Sequence, residues 1–238
     1  QGLAFDVAVH FGTLIAVVAY FRTEIADMLL AAAGTPAQLR NRGWRAVVNT
    51  NDGDPDIRLI LQLMLATVPV VVVGFFAKDT IDSTLRSISV IATTTLVFGA
   101  ALWYADSLPQ RQRIMTFPAA IFIGLAQCIA LIPGTSRSGI TITAALLIGL
   151  GRTQSARFSF LLAIPTILGA QLLMMVDLSL EQMLSDSSTM LSAAALAGLS
   201  AYACIHFFIA LVERTGMRPY VYYRIALGLI LFGIVALA

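Results

Sequence analysis

Six apolar runs limit what this chain can fold into: Leu3–Phe21, Leu59–Ala77, Ile88–Ala105, Phe158–Val176, Thr189–Val212 and Tyr220–Ala238. Each approaches the roughly 20 residues that a helix needs to cross hydrocarbon. In a bilayer every backbone N–H and C=O must find its partner inside the protein, so runs of this kind become helices. With 58% hydrophobic and 12% charged residues, the 238-residue chain is read as an all-α polytopic membrane protein, a single domain over 1–238. No nucleic-acid partner is expected. Cys128 and Cys204 lie inside apolar runs without metal-ligand spacing and are read as packing residues.

Two shorter runs, Phe117–Ile132 and Gly139–Gly151, separate the third long run from the fourth. At about 1.5 Å per residue the second is only ~20 Å long, against ~30 Å of hydrocarbon. The pair over 117–151 is therefore expected to dip into the membrane and return as a re-entrant helix-loop-helix, its Pro133–Ser138 tip near the midplane. Loop charges orient the bundle. Arg22, Arg40, Arg42, Arg45, Arg58, Arg111, Arg113, Arg152, Arg157, Arg214 and Arg218 alternate onto one side, which the positive-inside rule makes cytoplasmic. On that side residues 22–58 are expected to form a long polar loop, with Ile25–Ala33 as a short interfacial helix.

The tip carries the chemistry. Leu131-Ile-Pro-Gly-Thr-Ser-Arg-Ser-Gly-Ile-Thr141 sets an arginine among hydroxyls and glycines at membrane depth, where a charge is costly and marks a functional site. Glycine and serine amides before a helix start form an anion cradle, and the Arg137 fork matches phosphate oxygens. A helix cap explains one or two of the hydroxyls but not the arginine. The segment is no Walker A loop, since no lysine follows the glycine and no strand precedes it. Gln127, under two turns earlier, is expected to bond either substrate or the loop.

Other polar residues have blander readings. Asp6 and His10 share one helix face, as a packing contact or as a tuned imidazole. His206 is read as structural. Arg224 is expected to snorkel to the interface or pair with an acid in the bundle. Tyr220, Tyr222, Tyr223, Trp103 and Tyr104 read as an interfacial belt. Ala193, Ala197 and Ala201 form a stripe for close helix packing, and Pro165 and Gly169 suggest a bend.

Pro133-Gly-Thr-Ser-Arg-Ser-Gly-Ile-Thr141 resembles the second signature of the bacterial undecaprenyl-pyrophosphate phosphatases, the BacA-type proteins linked to bacitracin resistance. The resemblance extends to Phe5–Thr13, Ala126–Pro133, Ala156–Pro165 and Tyr223-Arg224, covering nearly all the chain. It implies six spanning helices plus two re-entrant hairpins arranged as inverted repeats, often as a dimer, in the bacterial inner membrane. It also implies hydrolysis of a polyprenyl diphosphate lipid, undecaprenyl diphosphate, to the monophosphate that carries cell-wall precursors. The candidate catalytic residues are Arg137, Ser136 and Ser138. The candidate substrate-binding set is Gly134, Thr135, Ser136, Arg137, Ser138, Gly139, Thr141 and Gln127. A divalent cation, magnesium or calcium, is implied by the resemblance alone. By the same resemblance a paired-glutamate motif and a Ser-Ser-x-Gly-His segment, supplying the metal-linked acids, a nucleophile and a histidine, are expected before Gln1, and residues 1–238 hold no copy of them. The rival readings are a transporter or flippase of polyprenyl phosphate lipids, built on the same broken-helix geometry, and a noncatalytic binding protein.

Overall fold

The computed structural model describes the backbone of residues 3–48, 53–176 and 187–237, and the side chains of residues 5–35, 53–77, 85–172 and 188–237. The described residues are helical, without strands. In chain order the α-helices are α1 Leu3–Tyr20, α2 Arg22–Val48, α3 Pro55–Thr84, α4 Ile88–Ser107, α5 Phe117–Cys128, α6 Arg137–Leu147, α7 Arg152–Val176, α8 Ser187–Thr215 and α9 Arg218–Leu237. A 3-10 turn, Ile129–Leu131, extends α5.

Among the described residues five stretches are long and apolar enough to cross a membrane: Pro55–Ala77, Ile88–Ser107, Arg152–Leu172, Ser188–Thr215 and Arg218–Leu237. The first apolar run appears as the shorter stretch Phe5–Tyr20, and the pair at the centre of the chain as Phe117–Leu131 followed by the 11-residue α6. Large apolar side chains such as Phe76, Leu199 and Leu229 are exposed along these helices, as lipid-facing residues are. Of the arginines used to orient the bundle, the side chains of Arg40, Arg42 and Arg45 lie outside the described residues.

Helix boundaries follow local chemistry. Asp54 accepts the amides of Asp56 and Ile57 at 3.0 and 3.4 Å, and Pro55 starts α3, where its missing N–H costs nothing. Ser87 caps α4 and Thr116 caps α5 in the same way. Within residues 22–58 the short helix expected over Ile25–Ala33 is part of a longer one, since α2 runs from Arg22 to Val48. Met28-Leu-Leu-Ala-Ala-Ala33, a run of strong helix formers, lies in its first half. The expected bend at Pro165 does not end its helix, and α7 continues through it to Val176.

The chain forms two compact units, residues 1–64 with 161–207 and residues 65–160 with 208–238. In the first, α1 lies against α8 with Gly12 on the backbone of Ala194, and Gly198 faces the Gly12 carbonyl. The small residues that permit this approach are Ala194 and Gly198, one position on from the stripe at Ala193 and Ala197. Between helices in lipid, close van der Waals contact replaces the hydrophobic drive, so such glycines matter.

The second unit is built on α4 and α9, which pack along each other, with α6 against α4 and α5. Gly99 faces the Arg224 side chain and Gly228 faces Leu96, so both helices can come close. Its core joins Leu102 and Ala105 to Ile142, Leu146, Ala156, Val212, Met217 and Val221. At one end Asp106, nearly buried, accepts Arg152 Nε at 2.6 Å and the Met217 amide at 3.2 Å. That one carboxylate ties the end of α4 to the start of α7 and to the α8–α9 turn.

Candidate functional site

The tip between α5 and α6 lies wholly in the second unit. The 3-10 turn closes with the Ile132 amide on the Ile129 carbonyl at 3.0 Å. Gly134 then takes φ +87°, and a Cβ there would strike Thr94 and the backbone of Ile91. Only glycine fits. Ser136 follows at φ 68°, ψ 116°, a conformation that costs a non-glycine residue on the order of 1–3 kcal/mol. Its hydroxyl accepts the Gly139 amide at 3.2 Å and caps α6. The amides of Arg137 and Ser138, in the first turn, have no partner among the described residues and are free to donate to an anion.

The tip's carbonyls are held from outside. Thr94 donates to the Pro133 carbonyl at 2.6 Å, and Thr95 donates to that of Gly134 at 3.2 Å. Arg224, 3% exposed, donates through Nη2 to the Gly134 carbonyl at 2.8 Å and through Nε and Nη2 to the Thr95 carbonyl at 3.3 Å. Arg224 therefore neither snorkels nor pairs with an acid. At a helix position with both carbonyls in reach, its planar fork gains more by bridging them than by stretching to water.

Arg137 is the outlier. Its Nη1 is buried and has no hydrogen-bond partner among the described residues, although a charged donor left unsatisfied costs on the order of 1–3 kcal/mol or more. Thr135, fully buried, also has an unpartnered hydroxyl. Among the described residues no carboxylate pairs with Arg137 or Arg224. The tip thus concentrates two guanidinium groups and two free amides, with its carbonyls engaged elsewhere. Such an arrangement attracts a multiply charged anion and repels a cation.

The other sequence candidates fall into place around this. Ser138 Oγ lies 3.5 Å from Ser136 Oγ. Gly139 is buried, and a Cβ there would crowd Arg224 Nη1 at 3.1 Å. The Thr141 hydroxyl is engaged by Ser159 at 2.7 Å and by the carbonyls of Arg137 and Ser138, which makes it a support of the first turn. Gln127 is fully buried in α5. Asp6 and His10 are exposed and make no bond to each other among the described residues, and His206 packs its ring near Tyr20. Sequence reasoning missed Thr94, Thr95, Ser159 and the role of Tyr220. The Thr93-Thr94-Thr95 run inside an apolar span was the available signal.

Metal ligands are a separate matter. Among the described residues no three His, Cys, Asp or Glu side chains gather closely enough to hold an ion, and Asp106 is already taken by Arg152 and the Met217 amide. These residues do not fit a divalent cation.

Residues 1–230 match the family model described as bacitracin resistance protein BacA. An undecaprenyl-diphosphatase of Alcanivorax borkumensis is 51% identical over 97% of this chain and 84% of its own length. One from Alteromonas mediterranea is 47% identical over the same shares, and undecaprenyl-diphosphatase 1 of Pseudoalteromonas translucida is 46% identical over 96% and 82%.

Proposed function

The chain belongs to the bacitracin resistance protein BacA family, and from that premise we propose that it is a membrane phosphatase hydrolysing undecaprenyl diphosphate to recycle the lipid carrier, with the Pro133–Gly139 tip as its diphosphate grip. The observation that carries the grip is Arg137, whose buried Nη1 lacks a partner at the mouth of a helix with free amides. Phosphoryl transfer depends on positioning and charge neutralisation more than on covalent help from the protein. Arg137 and the first-turn amides of α6 hold phosphate oxygens, while the hydroxyls of Ser136 and Ser138 add donors beside them. The isoprenoid tail lies along apolar helix faces.

In the same reading the six long runs span the bacterial inner membrane, and residues 117–151 form a re-entrant hairpin. Supporting it, α6 has 11 residues, about 17 Å of helix against ~30 Å of hydrocarbon. Inverted repeats and pairing into a homodimer belong to this proposal through family resemblance.

The test uses the purified full-length protein with farnesyl diphosphate and follows phosphate release, with and without magnesium. Release by the wild type that disappears in Arg137→Ala supports the reading. Movement of a polyprenyl phosphate across vesicles without phosphate release would instead make the protein a carrier.

A further inference from the structure

Tyr220 stands apart from the other tyrosines of α9. Tyr222 and Tyr223 are exposed, whereas Tyr220 is half-buried, with its ring edge-on to Phe208 at 5.7 Å and packed against the core of the second unit. Its hydroxyl lies 2.9 Å from Ser136 Oγ. One helical turn on, Arg224 grips the Gly134 carbonyl at 2.8 Å. Residues four apart share a helix face, so one face of α9 meets the tip at both its ends. Arg224 fixes the register of α9 against the tip, and Tyr220 then lands on Ser136.

We propose that Tyr220 is a positioning residue for the Ser136 hydroxyl in diphosphate binding, which rests on the reading of the tip as the phosphate grip. A serine hydroxyl has one proton and two lone pairs. The Gly139 amide takes one lone pair of Ser136. If Tyr220 donates to the other, the Ser136 proton is left for a phosphate oxygen. If Ser136 donates to Tyr220, the tyrosine proton is left instead. Either polarity leaves the pair one proton to offer an anion, and the packed Tyr220 ring aims it. Ser138 Oγ already lies 3.5 Å from Ser136 Oγ, and without the tyrosine oxygen it becomes the competing partner that draws the Ser136 proton away from the grip.

The experiment is a double-mutant cycle on the full-length protein, comparing wild type, Tyr220→Phe, Ser136→Ala and the double variant. Each is measured for kcat and KM on farnesyl diphosphate, for the Kd of farnesyl methylenediphosphonate, and for Tm in detergent. Tyr220→Phe keeps the ring and is expected to raise Kd and lower kcat/KM about tenfold, as loss of one hydrogen bond to a charged group does, with Tm unchanged. In the Ser136→Ala background the same change should have no further effect on Kd, because the residue through which Tyr220 acts is gone. The Kd cycle can be read even if Ser136→Ala is inactive. Equal losses in both backgrounds, or no loss in either, overturn the proposal, since independent residues contribute additively. A wild type that binds the diphosphonate but releases no phosphate counts against the phosphatase reading and leaves the Tyr220 coupling to be read from Kd.

Discussion

Arg224 and Gly134 are 90 residues apart in sequence, yet the guanidinium Nη2 of one donates to the carbonyl of the other at 2.8 Å. The same side chain holds the Thr95 carbonyl, so a single buried arginine locks α9, α4 and the tip together. It also turns a carbonyl lone pair away from an incoming phosphate. The backbone of the tip is therefore held in place partly by a residue on another helix.

Arg224→Lys keeps the charge but replaces a rigid fork by a point donor that cannot span both carbonyls. One buried carbonyl bond is lost, at a cost of about 1–3 kcal/mol. The variant is expected to melt earlier in detergent and to bind farnesyl methylenediphosphonate at least several-fold more weakly. An unchanged Tm and Kd would show that the bridge to Gly134 has no energetic role.

Arg137 should behave in the opposite way. Among the described residues its Nη1 has no partner, so the side chain carries a buried, unsatisfied donor. Arg137→Met keeps the bulk and removes the unsatisfied charge. It is expected to abolish phosphate release and diphosphonate binding while leaving Tm equal or higher, the trade that functional sites often show. A large drop in Tm would identify Arg137 as a structural residue instead.

What could be read in the sequence and what could not separates cleanly at this site. The break between the two short helices was legible, because a proline, glycines and an arginine between short apolar runs interrupt a helix. The helices were legible from their apolar runs. Arg224 was misread because sequence gives its depth in a span but not the face it shares with the tip, and the default for a lone arginine near a helix end is to reach water. Tyr220 was assigned to an interfacial belt for the same reason, its neighbours Tyr222 and Tyr223 being exposed as a belt requires. The Asp6–His10 pair had the right spacing but lies on an exposed face. The helix expected over Ile25–Ala33 was legible from its leucine and alanine run, but its extent from Arg22 to Val48 was not, since the flanking charges, Pro36 and Gly43 read as loop.

Asp106 gives a test that separates stability from activity. Its carboxylate accepts Arg152 at 2.6 Å and the Met217 amide, yet it lies at the end of α4 and, among the described residues, makes no bond to the tip. Asp106→Ala leaves a buried amide and a partly exposed arginine without their acceptor, for a loss of about 1–3 kcal/mol. Tm is expected to fall clearly, while KM of the remaining folded enzyme stays near the wild-type value. A raised KM with an unchanged Tm would mean that this cluster communicates with the grip.

The re-entrant reading of residues 117–151 can be decided by labelling. Ser138 sits in the first turn of α6, partly exposed beside Ser136, so a thiol there samples whatever fills the mouth of the tip. Cys128 and Cys204 are both free thiols and must first be replaced by alanine. In that background Ser138→Cys is expected to react with a membrane-impermeant maleimide from one side of oriented vesicles only. Farnesyl methylenediphosphonate should protect it, because the ligand's phosphonates would cover the same turn. A hairpin that dips and returns opens its tip to one aqueous side through a wet cavity, since irregular backbone is not tolerated against lipid. Resistance from both sides would put the thiol in a lipid-facing helix, and reaction from one side without protection would separate the tip from the diphosphate site.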